Sequence, residues 1–156
     1  VPDLNEMIRQ YLEGPALLRQ AVAGMTPEQL RAKPVAGKWS TLECVVHISD
    51  FEPILADRIK RMISLENPIL QGADENLFVT GLAYGERDLE EELRIVEVTL
   101  SQLARILRTK GPEILSRKGT HSERGERTLE QMLLGAINHI PHHVQFIHEK
   151  RKALGL

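Results

Sequence analysis

Four of the six histidines in this 156-residue chain crowd into one stretch near its end, His139, His142, His143 and His148. Side chains four residues apart on a helix are parallel neighbours, so His139 and His143 can present two imidazole nitrogens to one divalent ion. At about 100° per residue, Leu129, Leu133, Ala136, Ile140, Val144 and Ile147 form one apolar stripe. His143 lies at the edge of that stripe, His139 beside it, and His142 turns toward solvent; His142 and His148 are the poorer candidates. A histidine pair at this spacing is a weak signal by itself, because two helix histidines in ordinary hydrogen bonds look the same. Pro141 between them shifts the balance. Inside a helix a proline costs about 3 kcal/mol and frees a carbonyl one turn earlier, here that of Ile137. Such a violation is more expected at a functional site than in an idle helix, with a simple packing kink as the alternative.

A zinc-type site needs at least three protein ligands, and His47 is the natural third. It sits in a segment apolar on most sides, with Val45, Val46, Ile48, Phe51, Ile54 and Leu55 around it. Alone it reads as a buried histidine satisfied by one hydrogen bond. Two helices that each carry an inward histidine make convergence on one ion the stronger reading, since metal sites in bundle cores are built from facing helices. Asp50, three residues on, could orient a ligand from behind or stand as a solvated helix charge, and the charge is the favoured reading. The single cysteine, Cys44, excludes an intrachain disulfide and any cysteine-based cluster, so His, Asp and Glu must supply the ligands.

These residues need helices to hold them. Period-3.6 patterns dominate and no stretch alternates convincingly, so the sequence predicts four main helices and no sheet. The first spans about 3–23 and is bent at Gly14-Pro15. A short helix opens at Thr26-Pro27-Glu28-Gln29, where Thr26 and Gln29 form a capping box. Residues 33–38 read as a loop, and Ser40-Thr41-Leu42-Glu43 caps the second main helix, which runs to about Leu65. Asn67-Pro68 stops it. Residues 67–87 then cross the bundle, with a helical turn near Glu75 to Val79. The third main helix runs from about Asp88 to the Gly111-Pro112 stop. Residues 111–127 read as an exposed polar loop, and Thr128-Leu129-Glu130-Gln131 caps the last helix, which continues to about Leu154. One long crossover between the second and third main helices is what an up-down-down-up bundle requires. Trp39, just ahead of the second helix, is expected to cover one end of the core.

Composition narrows the function classes. With 42% hydrophobic and 27% charged residues, the chain has the balance of an ordinary globular protein, and its length fits one domain over residues 1–156. No apolar run approaches the roughly 20 residues of a membrane span. The opening residues lack the basic start and apolar stretch of a secretory signal, so a cytoplasmic location is the expectation. A net charge of -2 and 4% aromatics offer neither a basic surface nor stacking platforms for nucleic acid.

Gly37-Lys38-Trp39-Ser40 leading into Val46-His47-Ile48-Ser49-Asp50, followed by Asn138-His139 and His142-His143 in the final helix, resembles the DinB/YfiT-like metal-binding four-helix proteins. The resemblance covers essentially the whole chain in order and spacing, including the Gly14-Pro15 bend and the segment from Thr26 to Leu30. It implies an up-down-down-up bundle, commonly a homodimer, with zinc, nickel or a similar divalent ion on three histidines matching His47, His139 and His143. Some relatives of this kind resemble S-transferases that use bacillithiol or isomerases that use mycothiol.

Three neutral imidazoles leave an ion its full charge and an open coordination position, which suits catalysis better than stapling. The expected function is therefore a metal-dependent transferase in which a low-molecular-weight thiol attacks a small electrophile. The alternative is a non-catalytic metal-binding or stress-response protein whose ion is structural, and pocket openness discriminates the two. Cys44 is not expected to be the nucleophile, because it lies roughly 60° from His47 on the same helix among apolar neighbours that raise a thiol's pKa. A homodimer is expected because the second helix is apolar around more of its circumference than one buried stripe needs.

Overall fold

The computed structural model describes residues 3–156. Its helices are α1 (Leu4–Tyr11), α2 (Gly14–Val22), α3 (Pro27–Arg31), α4 (Thr41–Ser64), α5 (Glu75–Gly81), α6 (Leu89–Leu107) and α7 (Leu129–Ala153). Short 3-10 turns lie at Tyr84–Glu86 and Pro112–Ser116. The four long rods of the bundle are the α1/α2 pair, α4, α6 and α7, arranged up-down-down-up. The core is a continuous cluster that includes Leu18, Val45, Ile48, Ile59, Val96, Leu103, Leu133 and Ile140.

Local chemistry starts the helices where the sequence places them. Capping boxes form at Thr26 with Gln29, at Ser40 with Glu43 and at Thr128 with Gln131; each satisfies two backbone donors that the first turn leaves unpaired. The first rod is two helices instead of one bent helix. Leu12 and Glu13 separate them, and Pro15 lies in the first turn of α2, where its missing N–H costs nothing. Gly14 lets this break press on the last helix: a Cβ there would lie 2.7 Å from Ile140 Cδ1. Pro141 and Pro53 both sit inside continuous helices.

The expectation of no sheet is wrong. Strands β1 (Ile69–Leu70), β2 (Lys118–His121) and β3 (Gly125–Thr128) form a three-stranded sheet in the order β1-β2-β3. β2 and β3 make an antiparallel hairpin with Lys118 opposite Thr128, and β1 joins β2 in parallel, Ile69 opposite Thr120. The region read as an exposed loop is therefore tied to the α4–α6 crossover. Strands of two to four residues are too short to show the period-2 alternation by which strands are recognised. What stabilises them is tertiary: Gly119 faces Leu70 and Met62 so closely that a Cβ would lie 3.0 Å from Leu70 Cδ1. Gly125 takes φ +75° at the hairpin turn, a conformation open to glycine.

A buried polar network fixes the far end of the crossover. Arg87 donates from Nε to Glu92 Oε1 at 2.7 Å and from Nη2 to Asp50 Oδ1 at 2.6 Å, and Ser49 Oγ also donates to Glu92. Asp50 thus belongs to this α4–α6 junction and neither orients a triad histidine nor stands as a solvated charge. Among the described residues no helix is long and apolar enough to cross a membrane.

Candidate metal centre

His47 enters from the first half of α4, and His139 and His143 enter from the middle of α7, the two helices packing face to face. One ligating atom from each lies within 4.8 Å of the others. His47 Nε2 is 3.0 Å from His143 Nε2 and 3.2 Å from His139 Nε2. His47 is buried and the other two are partly buried. His142, one residue from His143, is exposed on the outer side of α7, and His148 is exposed as well.

The donor set fits a cation. A neutral imidazole carries one N–H and one lone pair, so the single Nε2 of His47 cannot satisfy two facing ring nitrogens by hydrogen bonding. Three lone pairs turned toward one ion at about 2.0–2.1 Å would stand roughly 3–3.5 Å apart, close to the spacing observed for the two pairs above. Burial, followed by the neighbouring imidazoles, pushes the pKa of His47 and of His143 down to about 3. Both rings are therefore neutral and available as ligands at ordinary pH.

Glu52 sets the ring orientation of His139. Its Oε1 lies 2.9 Å from His139 Nδ1, and the carboxylate is fully buried. With Nδ1–H donated to Glu52, His139 presents Nε2 as a lone pair to the triad, the carboxylate–histidine–metal pattern that fixes tautomer and raises ligand basicity. Burial drives the Glu52 carboxyl above its ordinary range, and the His139 hydrogen bond opposes that shift. The sequence offers Asp50 as one candidate for this role, with a solvated charge as its favoured reading, and does not single out Glu52. A signal was available: Val45, Ile48, Glu52, Ala56 and Ile59 share the buried stripe of α4, and a carboxylate in such a stripe needs a partner.

Two cavities meet at the triad. The larger, about 730 Å³, is lined by His47, His139 and His143 together with Phe51, Leu55 and Met132, and reaches the hairpin. The smaller, about 360 Å³, is also lined by His143, together with Trp39, Phe146, Cys44 and Lys150 among others. Glu75, the first residue of α5, lines both, and its Oε2 is 3.7 Å from His47 Nε2. Trp39 is half-buried, its ring centroid 5.2 Å from that of His47. It packs on the core as expected and also walls the smaller cavity. Cys44 is buried, and desolvation pushes its thiol pKa up.

The comparisons with known proteins agree with this architecture. The chain is 28% identical over 152 residues to YfiT of Bacillus subtilis, covering 97% of this chain and 85% of that protein. It is 26% identical over 144 residues to a protein of Oceanobacillus iheyensis, covering 92% and 83% respectively. The name of each relative proposes a metal-dependent hydrolase. The solved YfiT structure, described as an unusual four-helix bundle, superposes with a TM-score of 0.90, covering 97% of this chain and 87% of that one at 26% identity. The sequence pattern of the DinB superfamily matches residues 10–147, nearly the whole bundle from the end of α1 to the turn of α7 that follows His143, and the chain belongs to that superfamily.

Proposed function

We propose that the protein is a metal-dependent transferase that joins a low-molecular-weight thiol to a small electrophile. The observation that carries this reading is the pair of cavities that share His143 and Glu75, which offers separate room for a thiol and an electrophile beside one reacting point. His47, His139 and His143 would hold a divalent ion, zinc or nickel as the family resemblance implies, and when bound it would supply the positive charge that lowers the pKa of a thiol brought to it. Glu75 is placed to accept the thiol proton, its carboxylate being half-exposed beside the triad. The sulfur then forms a bond to the electrophilic carbon, whose leaving group departs with the displaced electron pair. Phe51, Leu55 and Met132 give the larger chamber an apolar patch among its otherwise polar lining. A purely structural ion would be sealed, and the triad instead borders open cavities.

Hydrolysis is the second reading. It is favoured by Glu75, since a carboxylate beside the triad can equally take a proton from water, and by the names of the relatives. One assay separates the readings. Metal-loaded protein is incubated with bacillithiol, mycothiol or glutathione and a panel of alkylating and acylating electrophiles, and products are identified by mass. Thioether or thioester adducts formed faster than with His143→Ala, and unaffected by Cys44→Ser, support transfer. Products carrying oxygen from labelled water in the absence of thiol support hydrolysis instead. If neither exceeds the His143→Ala control, both readings fail and a structural ion replaces them.

A further inference from the structure

The part of the larger cavity that reaches the hairpin is rich in basic side chains. Arg58 of α4, His121 at the end of β2, Arg124 in the hairpin turn and Arg127 of β3 all line it. Only the hairpin brings the last three to Arg58. None of the three arginines makes an ion pair with a carboxylate among the described residues. Arg58 donates from Nη2 to the Gln71 carbonyl at 2.6 Å, but its Nε is buried with no acceptor. A buried donor left without a partner is costly, and here it belongs to a guanidinium.

His121 is 6% exposed, and its Nδ1 accepts the backbone N–H groups of Glu123 and Arg124 at 3.1 and 3.2 Å. With Nδ1 an acceptor, the neutral ring carries its proton on Nε2, a donor with no protein partner among the described residues. Like charges crowd this corner. Burial, then the charges of Arg58 and Arg124, hold His121 below its ordinary pKa, and burial and Arg124 do the same to Arg58. Glu123 also lines the cavity and offsets part of this charge, while Asp74 and Glu75 lie on the α5 side.

We propose that Arg58, His121, Arg124 and Arg127 form an oxyanion subsite that holds a carboxylate or phosphate group of a substrate whose reacting end lies at the histidine triad. Guanidinium forks bind either oxyanion through paired, charge-assisted hydrogen bonds. Such an anion would accept from the guanidinium groups that line the cavity and screen the crowded arginines from one another. The inference rests on the functional reading above only in taking this cavity as the substrate's.

The test uses protein stripped of metal with a chelator, so that no ion can bind the probe. Succinate and inorganic phosphate are titrated by calorimetry, with uncharged succinamide as the control. Saturable binding of either anion without binding of succinamide is expected, and the anion that binds identifies the group. The Arg124→Gln/Arg127→Gln double variant should weaken binding at least roughly tenfold while circular dichroism and melting temperature stay unchanged. Arg58→Gln should weaken it as well, and is read separately because Arg58 also holds the Gln71 carbonyl. No saturation by either anion, undiminished affinity in the double variant, or binding that requires metal overturns the subsite. Anion binding by a protein that transfers no thiol upholds the subsite and removes only the transferase reading.

Discussion

Glu52 Oε1 lies 2.9 Å from His139 Nδ1 inside the core, so a buried carboxylate on one helix decides which nitrogen a histidine on the facing helix turns toward the triad. Replacing Glu52 by Gln keeps the shape but removes the charge that holds the Nδ1 proton. Metal affinity should fall about 10- to 100-fold, the usual effect of losing such a partner. Competition with a chromophoric chelator measures it, and unchanged affinity would mean that the pair only packs the core.

The triad divides two adjacent histidines by role. His143→Ala should abolish stoichiometric metal, whereas His142→Ala, which alters an exposed ring on the outer side of α7, should leave it intact. Elemental analysis of the purified variants checks this. Equal loss in both, or none in either, would remove the assignment.

Acid should destabilise the metal-free protein in a defined window. In the unfolded chain His47 and His143 titrate near 6.5, while in the folded protein burial and then neighbouring imidazoles hold both pKa values to about 3. Between these values the unfolded state binds more protons, so the stability of the fold decreases as pH is lowered through that range and is unaffected by these rings above it. Melting temperatures of chelator-treated protein at a series of pH values test the sign. His143→Phe, which has no proton to gain, should show a shallower fall.

The crossover should depend on Arg87. Arg87→Met would leave Glu92, 1% exposed, and Asp50 without their cation, and breaking a buried pair from one side costs about 3–5 kcal/mol. Denaturant unfolding should show a loss of that order. Because Arg87 anchors the segment that follows α5, the variant should also raise the Michaelis constant of any activity that uses Glu75. A loss below about 1 kcal/mol, the worth of an exposed ion pair, would show that water replaces the arginine freely.

Much of the architecture is legible in the residues themselves, because helix formation reports locally. The capping boxes at Ser40 and Thr128 fix where α4 and α7 begin, and an i, i+4 spacing forces His139 and His143 onto one face whatever surrounds the helix. His47 stood out as a histidine among apolar neighbours. Other features have no local signature. The sheet consists of strands too short to show a period, and Ile69 meets Thr120 only because two connections cross at one end of the bundle. Glu52 and Asp50 lie two residues apart on the same helix, and nothing in their spacing says that one faces His139 while the other faces Arg87. That choice depends on which neighbouring helix covers each face of α4. The cation corner is decided the same way, since Arg58 and Arg124 are far apart in sequence and become neighbours only when the hairpin folds back over the cavity. Sequence alone determined the helices and the paired histidines, whose geometry is set within one or two turns. Tertiary packing decided the partners of every buried charge, because only there do desolvation and distance select which groups can satisfy one another.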